Sequence, residues 1–187
     1  MSPPSTAPLL TGTFHANAVS STFAFAVRHS GVFWFRGTLS DVTATLRADG
    51  DVLALEGAAQ VASISITEPE AMRHSVLGPE FFDAADHPEL TFRSTAVRLA
   101  ADGAAEVEGD LTMRGVTLPV TAGGRYDAPR LSGFGEIMGL ELHSTLDRRD
   151  FGFDWQAQLP SGGDAVGWEV QLDIDLLLLR EAGDAEH

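Results

Sequence analysis

The chain has 187 residues, 44% of them hydrophobic, with no cysteine; its 12 basic residues, all arginine, stand against 27 acids for a formal charge of −15. That length fits one domain with room for a core, and the apolar fraction is too high for a disordered chain. The missing cysteines exclude disulfides and thiolate chemistry, and the acid excess speaks against a nucleic-acid partner or an anionic membrane surface.

The first residues, Met1 to Leu10, carry no basic patch and no apolar run of signal length. No stretch approaches the roughly 18–20 apolar residues of a membrane helix. The expectation is a cytoplasmic protein with a flexible leader over residues 1–11, a barrel domain over 12–180 and an acidic tail over 181–187.

From there the dominant signal is period two, the mark of half-buried strands. Phe23, Phe25 and Val27 alternate with Thr22, Ala24, Ala26 and Arg28. After a turn at Ser30-Gly31, Phe33, Phe35 and Leu39 alternate with Trp34, Arg36 and Thr38. Residues 52–66 form a longer, weaker strand candidate. Pro69 to Phe82 breaks the pattern and predicts a short helix with Pro69 near its start.

Alternation resumes at Leu90, Phe92 and Ser94. Val107, Leu111 and Met113 alternate with Glu106, Glu108, Asp110 and Thr112, and Arg114-Gly115 predicts a tight turn into Val116, Leu118 and Val120. Met138, Leu140, Leu142 and Leu146 continue the theme. The clearest strand comes last. Val166, Trp168, Val170, Leu172, Ile174, Leu176 and Leu178 form one row, while Glu169, Gln171, Asp173 and Asp175 stand on the other. Roughly eight antiparallel strands with one wet face predict a closed barrel or a sandwich. Periodicity alone does not distinguish a filled interior from a hollow one.

Five blocks in order then resemble a known family. The first strand ends in Val27-x-His29, followed by Arg36-Gly37-x-Leu39. Next come Ser65-Ile66, Arg73 with Leu77, Phe81-Phe82-Asp83, and Pro88-x-x-x-Phe92-x-Ser94-Thr95. Gly109-x-Leu111-Thr112-Met113-Arg114-Gly115-Val116-Thr117-Leu118-Pro119-Val120 follows, then Leu146-Asp147-Arg148-x-Asp150-Phe151-Gly152. From about Asn17 to Leu179 the chain resembles the YceI-like, lipocalin-fold polyisoprenoid-binding proteins. It departs from their pattern at Arg73-His74-Ser75-Val76-Leu77, where His74 replaces an acid and Val76 a histidine.

The resemblance implies an all-β protein: a single antiparallel eight-stranded lipocalin-like barrel with a short helical segment around residues 69–82. It implies non-catalytic binding, storage or carriage of a polyisoprenoid, isoprenoid quinone or similar long-chain lipid, with no cofactor and a possible homodimer; no nucleic acid and no membrane span are expected from the charge and the apolar runs. The expected lining is Phe23, Phe25, Val27, Phe33, Phe35, Phe92, Leu111, Met113, Leu140, Leu142, Trp155, Trp168, Val170, Leu172 and Ile174. Met72, Val76 and Leu77 are expected to close one end.

Two other classes compete. A barrel enzyme would need a polar cluster inside, for which His29, Arg36 and Asp147 are the candidates. A filled core would make the protein a stress-related interaction module. No histidine pair among His29, His74, His87 and His143 has metal-ligand spacing, and His29 reads as a strand end with a hydrogen-bonded ring. Asp147, Arg148 and Asp150 read as a structural turn, with acids accepting backbone amides, Arg148 pairing with one of them and Gly152 allowing the bend. Ser161-Gly162-Gly163-Asp164 reads as a loop near a barrel mouth.

Overall fold

Alternating apolar residues become ten strands in the structure, a computed structural model that describes residues 9–183. In chain order they are β1 (Leu10–Ala16), β2 (Thr22–His29), β3 (Phe33–Leu39), β4 (Val42–Gly50) and β5 (Val52–Gln60). Then come β6 (Glu89–Leu99), β7 (Ala104–Met113), β8 (Val116–Ser132), β9 (Gly135–Asp147) and β10 (Val166–Arg180), with one helix, α1 (Glu70–Leu77). The expected leader and tail fall largely on residues 1–8 and 184–187, outside the described residues; β1 begins within the segment read as leader.

Neighbouring strands run antiparallel in the order β1-β4-β5-β6-β7-β8-β9-β10, and β1 also pairs with β10. That closes a barrel of eight strands, as expected, and pairs the edges of β1 and β10 that would otherwise be exposed, leaving β3 at the end of the sheet. The hairpin β2–β3 extends the wall. β10 is long enough to pair with β1 over Leu178–Arg180 and with β2 over Val166–Asp175. Between β1 and β2 the buried hydroxyl of Ser21 accepts from the Leu177 amide, at 3.2 Å. β3 meets the segment after β5 through a bridge between Leu39 and Ile64.

The pairings define two ends. The turns β4–β5, β6–β7 and β8–β9 lie at the lower end; the turns β2–β3 and β7–β8, residues 61–88 and residues 148–165 lie at the upper end. The lower half is solid. Phe14, Leu46, Met138, Leu140 and Leu178 are at most 1% exposed and form a floor. Each such side chain contributes about 1.5–3 kcal/mol by leaving water.

The helical segment is shorter than predicted. Pro69 occupies its N-cap, and Gly78-Pro79 stops it after Leu77. Only Val76 is buried, so little packing holds α1 in place. Arg73 does so instead, donating to the carbonyls of Ala62, Ile64 and Ile66 at 2.9, 3.2 and 3.1 Å. The candidate strand 52–66 also ends early, because residues 61–63 form a 3-10 turn.

Candidate functional site: a two-chamber apolar cavity

Above the floor the barrel is hollow. An upper chamber of about 400 Å³ is walled by Phe23, Phe25, Val27, Phe33 and Phe35 from β2–β3, and by Met113, Leu146, Val166, Val170 and Leu172 from β7, β9 and β10. Its roof comes from Met72 and Val76 of α1, Phe81 and Phe82, and Phe153 and Trp155. A lower chamber of about 100 Å³ is walled by Phe92, Val107, Leu111, Val120, Ala122, Leu142, Ile174 and Leu176. Phe23 and Leu172 line both, so the chambers lie end to end along the barrel.

The period of two places these residues together, since every second side chain of a strand points inward. Phe82 joins the roof to the wall, edge-on to Phe25 (5.7 Å between ring centres) and to Phe153 (5.3 Å). Phe81 and Trp155, from two different roof segments, meet at 5.3 Å. Arg114 at the β7–β8 turn donates to the carbonyls of Pro79 and Gly152, tying those segments to the barrel top. Gly115 has the positive φ that this tight turn needs, as the sequence predicted.

The lower chamber has an apolar wall; Glu56 borders it, but its carboxylate is engaged by Arg47 and, more distantly, Arg93. The Arg47 hydrogen bond holds the Glu56 carboxyl below the usual range. The upper chamber has three polar side chains, His29, Ser75 and Arg148. His29 stacks on Phe33 at 5.0 Å and bonds the Ser30 hydroxyl at 2.9 Å, as a strand-ending histidine should.

Of the expected lining, all but two residues border one chamber or the other. Trp168 is the first correction. Pairing between β10 and β2 slips between Val166 and Val170, so the alternation that placed Trp168 inside is broken locally. Its ring stacks instead on Arg148 and Arg149, at 4.2 and 4.8 Å, and its indole donates to Asp164 at 2.8 Å. Leu140 is the second. It faces inward but is fully buried in the floor, below both chambers. Met72 and Val76 line the roof as expected; Leu77 packs against the core without bordering a chamber.

The 146–152 block is a turn, with one exchange of roles. Asp147 accepts from the Arg149 amide and guanidinium, both at 2.9 Å, so Arg149 and not Arg148 is its partner. That side-chain bond, ahead of the opposing effect of burial, brings the Asp147 carboxyl down to about 2. Arg148 turns inward. Gly152 takes a positive φ and makes the bend.

The enzyme candidates do not converge: His29 lines the cavity, Arg36 is exposed on the outer row, and Asp147 is occupied by Arg149. His143 pairs with Asp173 on the outer face, and His87 lies 3.9 Å from Asp83. Among the described residues no cluster of three His, Asp or Glu could hold a metal ion, and no helix is long and apolar enough to cross a membrane. Sequence reasoning missed Phe82, Phe153 and Leu146 as lining. Phe82 and Leu146 stood in the family blocks; Phe153 lies in a segment without periodicity.

Comparison with known proteins now bears on this geometry. A family model described as a YceI-like domain matches residues 14–178. A UPF0312 protein of Pseudomonas putida is 29% identical over 154 residues, spanning 80% of this chain and 76% of that one. Among solved structures, Burkholderia cenocepacia BcnA superposes with a TM-score of 0.70 at 21% identity, covering 87% of this chain and 98% of that one. A polyisoprenoid binding domain from Saccharophagus degradans superposes with a TM-score of 0.62 at 12% identity, over 90% and 98%.

Proposed function

We propose a function from one premise, that this chain belongs to the YceI-like family. Its barrel binds one long-chain lipid, a polyisoprenoid or isoprenoid quinone, and stores or carries it without chemical change. The observation that carries this reading is the pair of apolar chambers aligned end to end above a solid floor. The upper chamber alone falls in the range of about 300–1,000 Å³ of small-molecule sites. A flexible chain gains about 0.8 kcal/mol for each methylene it buries there. Such walls discriminate neighbouring chain lengths weakly, by about 1–3 kcal/mol per methylene, so the cargo is a class of lipids. The fold shared with a polyisoprenoid binding domain supports the same reading. The lipid is cargo, and the protein needs no cofactor for this task.

The test is extraction of the purified protein with organic solvent, followed by lipid mass spectrometry and rebinding. A long-chain lipid recovered near one per chain is the expected result. Leu172→Trp, placed where the chambers join, should abolish rebinding, whereas Ala24→Trp, outside the cavity wall, should leave it intact. A folded protein that takes up no isoprenoid, quinone or fatty chain overturns the proposal.

A further inference from the structure

The upper chamber holds one group out of keeping with an apolar wall. Arg148 is 5% exposed, a depth that arginine rarely reaches unless paired. Its Nε donates to the Gly167 carbonyl at 2.8 Å, Nη1 to Phe153 at 2.6 Å and Nη2 to Val166 at 3.2 Å. The Trp168 ring lies 4.2 Å from the guanidinium carbon. A guanidinium has five N–H donors, so these three bonds leave a further N–H on each terminal nitrogen. Among the described residues no carboxylate lies within ion-pair distance of it; Asp147, Asp164 and Asp154 act only through space. Burial correspondingly pushes its pKa down.

Three carbonyls and a ring thus hold a fixed positive charge at the wall of a chamber that is otherwise almost free of polar groups. Carbonyls and a ring offset only part of the cost of burying a charge that has no carboxylate in contact, and an anion placed against it recovers more. The rigid fork also matches two oxygens of a carboxylate or phosphate. Below it, past Phe23 and Leu172, the lower chamber is walled mainly by apolar side chains, and the carboxylate at its border, Glu56, is engaged by Arg47. We infer that Arg148 anchors the head group of the bound lipid, and that the cavity selects long-chain amphiphiles with an anionic oxygen head, carboxylate or phosphate, whose tail runs into the lower chamber. This rests on the lipid-binding reading above and narrows it, favouring a lipid with a phosphate or carboxylate head over a neutral quinone or alcohol and giving the ligand an orientation.

The experiment measures competition for the wild-type protein by three probes that share one tail: hexadecanoate, hexadecyl phosphate and 1-hexadecanol. The acid and the phosphate should bind at least about tenfold more tightly than the alcohol, as a charge-assisted hydrogen bond provides. Arg148→Gln should bring both anions down to the alcohol's level. Because Arg148 also ties two segments together, that variant can fail to fold, so a second readout uses the wild type alone. Hexadecanoate labelled with carbon-13 at the carboxyl is titrated while bound, and its carboxyl should stay ionised to lower pH than in a neutral apolar site. Equal affinity for acid and alcohol, or a bound carboxyl titrating above the ordinary range, overturns the inference and leaves the lipid reading standing. Failure of all three probes to bind overturns the inference, while the lipid reading stands or falls separately on uptake of an isoprenoid or quinone.

Discussion

Gly37 lies on β3 where a Cβ would come within 2.4 Å of the Phe25 ring. The absent side chain lets that ring lie across the strand and form chamber wall. Trp168 shows the opposite case, a large side chain whose parity points inward but whose backbone does not. Asp147 supplies a prediction at this scale. Its folded pKa, about 2, lies below its ordinary value of 3.8, so its contribution is complete above about pH 4 and is lost as pH falls toward 2. In denaturant melts, wild type should exceed Asp147→Asn in stability at neutral pH, and the gap should close across that acid window. A gap independent of pH would mean that the bond with Arg149 contributes nothing through charge.

Elements differ in how they are held. The barrel strands are fixed by continuous ladders, β9 and β10 pairing from Ile137–Leu179 to Asp147–Glu169. Helix α1 has one buried side chain and one arginine that binds three carbonyls. It forms part of the cavity roof through Met72 and Val76, so the roof is less firmly held than the wall. Arg73→Ala should therefore raise amide hydrogen exchange across residues 70–77 by about tenfold or more, since charge-assisted bonds are lost. Amides of β9 and β10 should exchange as before. Uniform acceleration over the whole chain would instead make Arg73 a determinant of global stability.

At the scale of the whole molecule, the charge of −15 has a place. Glu106, Asp110, Glu169, Asp173 and Asp175 are exposed on the outer rows of strands whose inner rows are apolar. Arginines are interleaved, Arg98 of β6 reaching both Glu106 and Glu108 of the adjacent β7. The inside is divided between a solid floor and a hollow top, and mutation should separate them. Leu140→Ala removes a fully buried floor side chain and should cost about 2–5 kcal/mol of stability, read from a denaturant melt. A cost below about 1 kcal/mol would show that the floor relaxes to fill the space.

Much of this could be read from the chain. Alternation located β2, β3, β5 and β10, most of β7 and β9, and the beginnings of β6 and β8, because a period of two is a property of the backbone alone. It missed β4, where Ala44 and Ala48 make the inner row too small to stand out, and β1, a short strand next to a Pro-rich start. It also placed the wall aromatics on the right side of their strands. Three things needed the folded molecule. Whether inward side chains meet each other or an empty space depends on how far apart the walls stand, so Leu140 fills while Phe25 lines. A slip in pairing belongs to two strands at once, so Trp168 could not be placed from β10 alone. The inward turn of Arg148 depends on carbonyls from Phe153, Val166 and Gly167, which only the closed barrel brings around it.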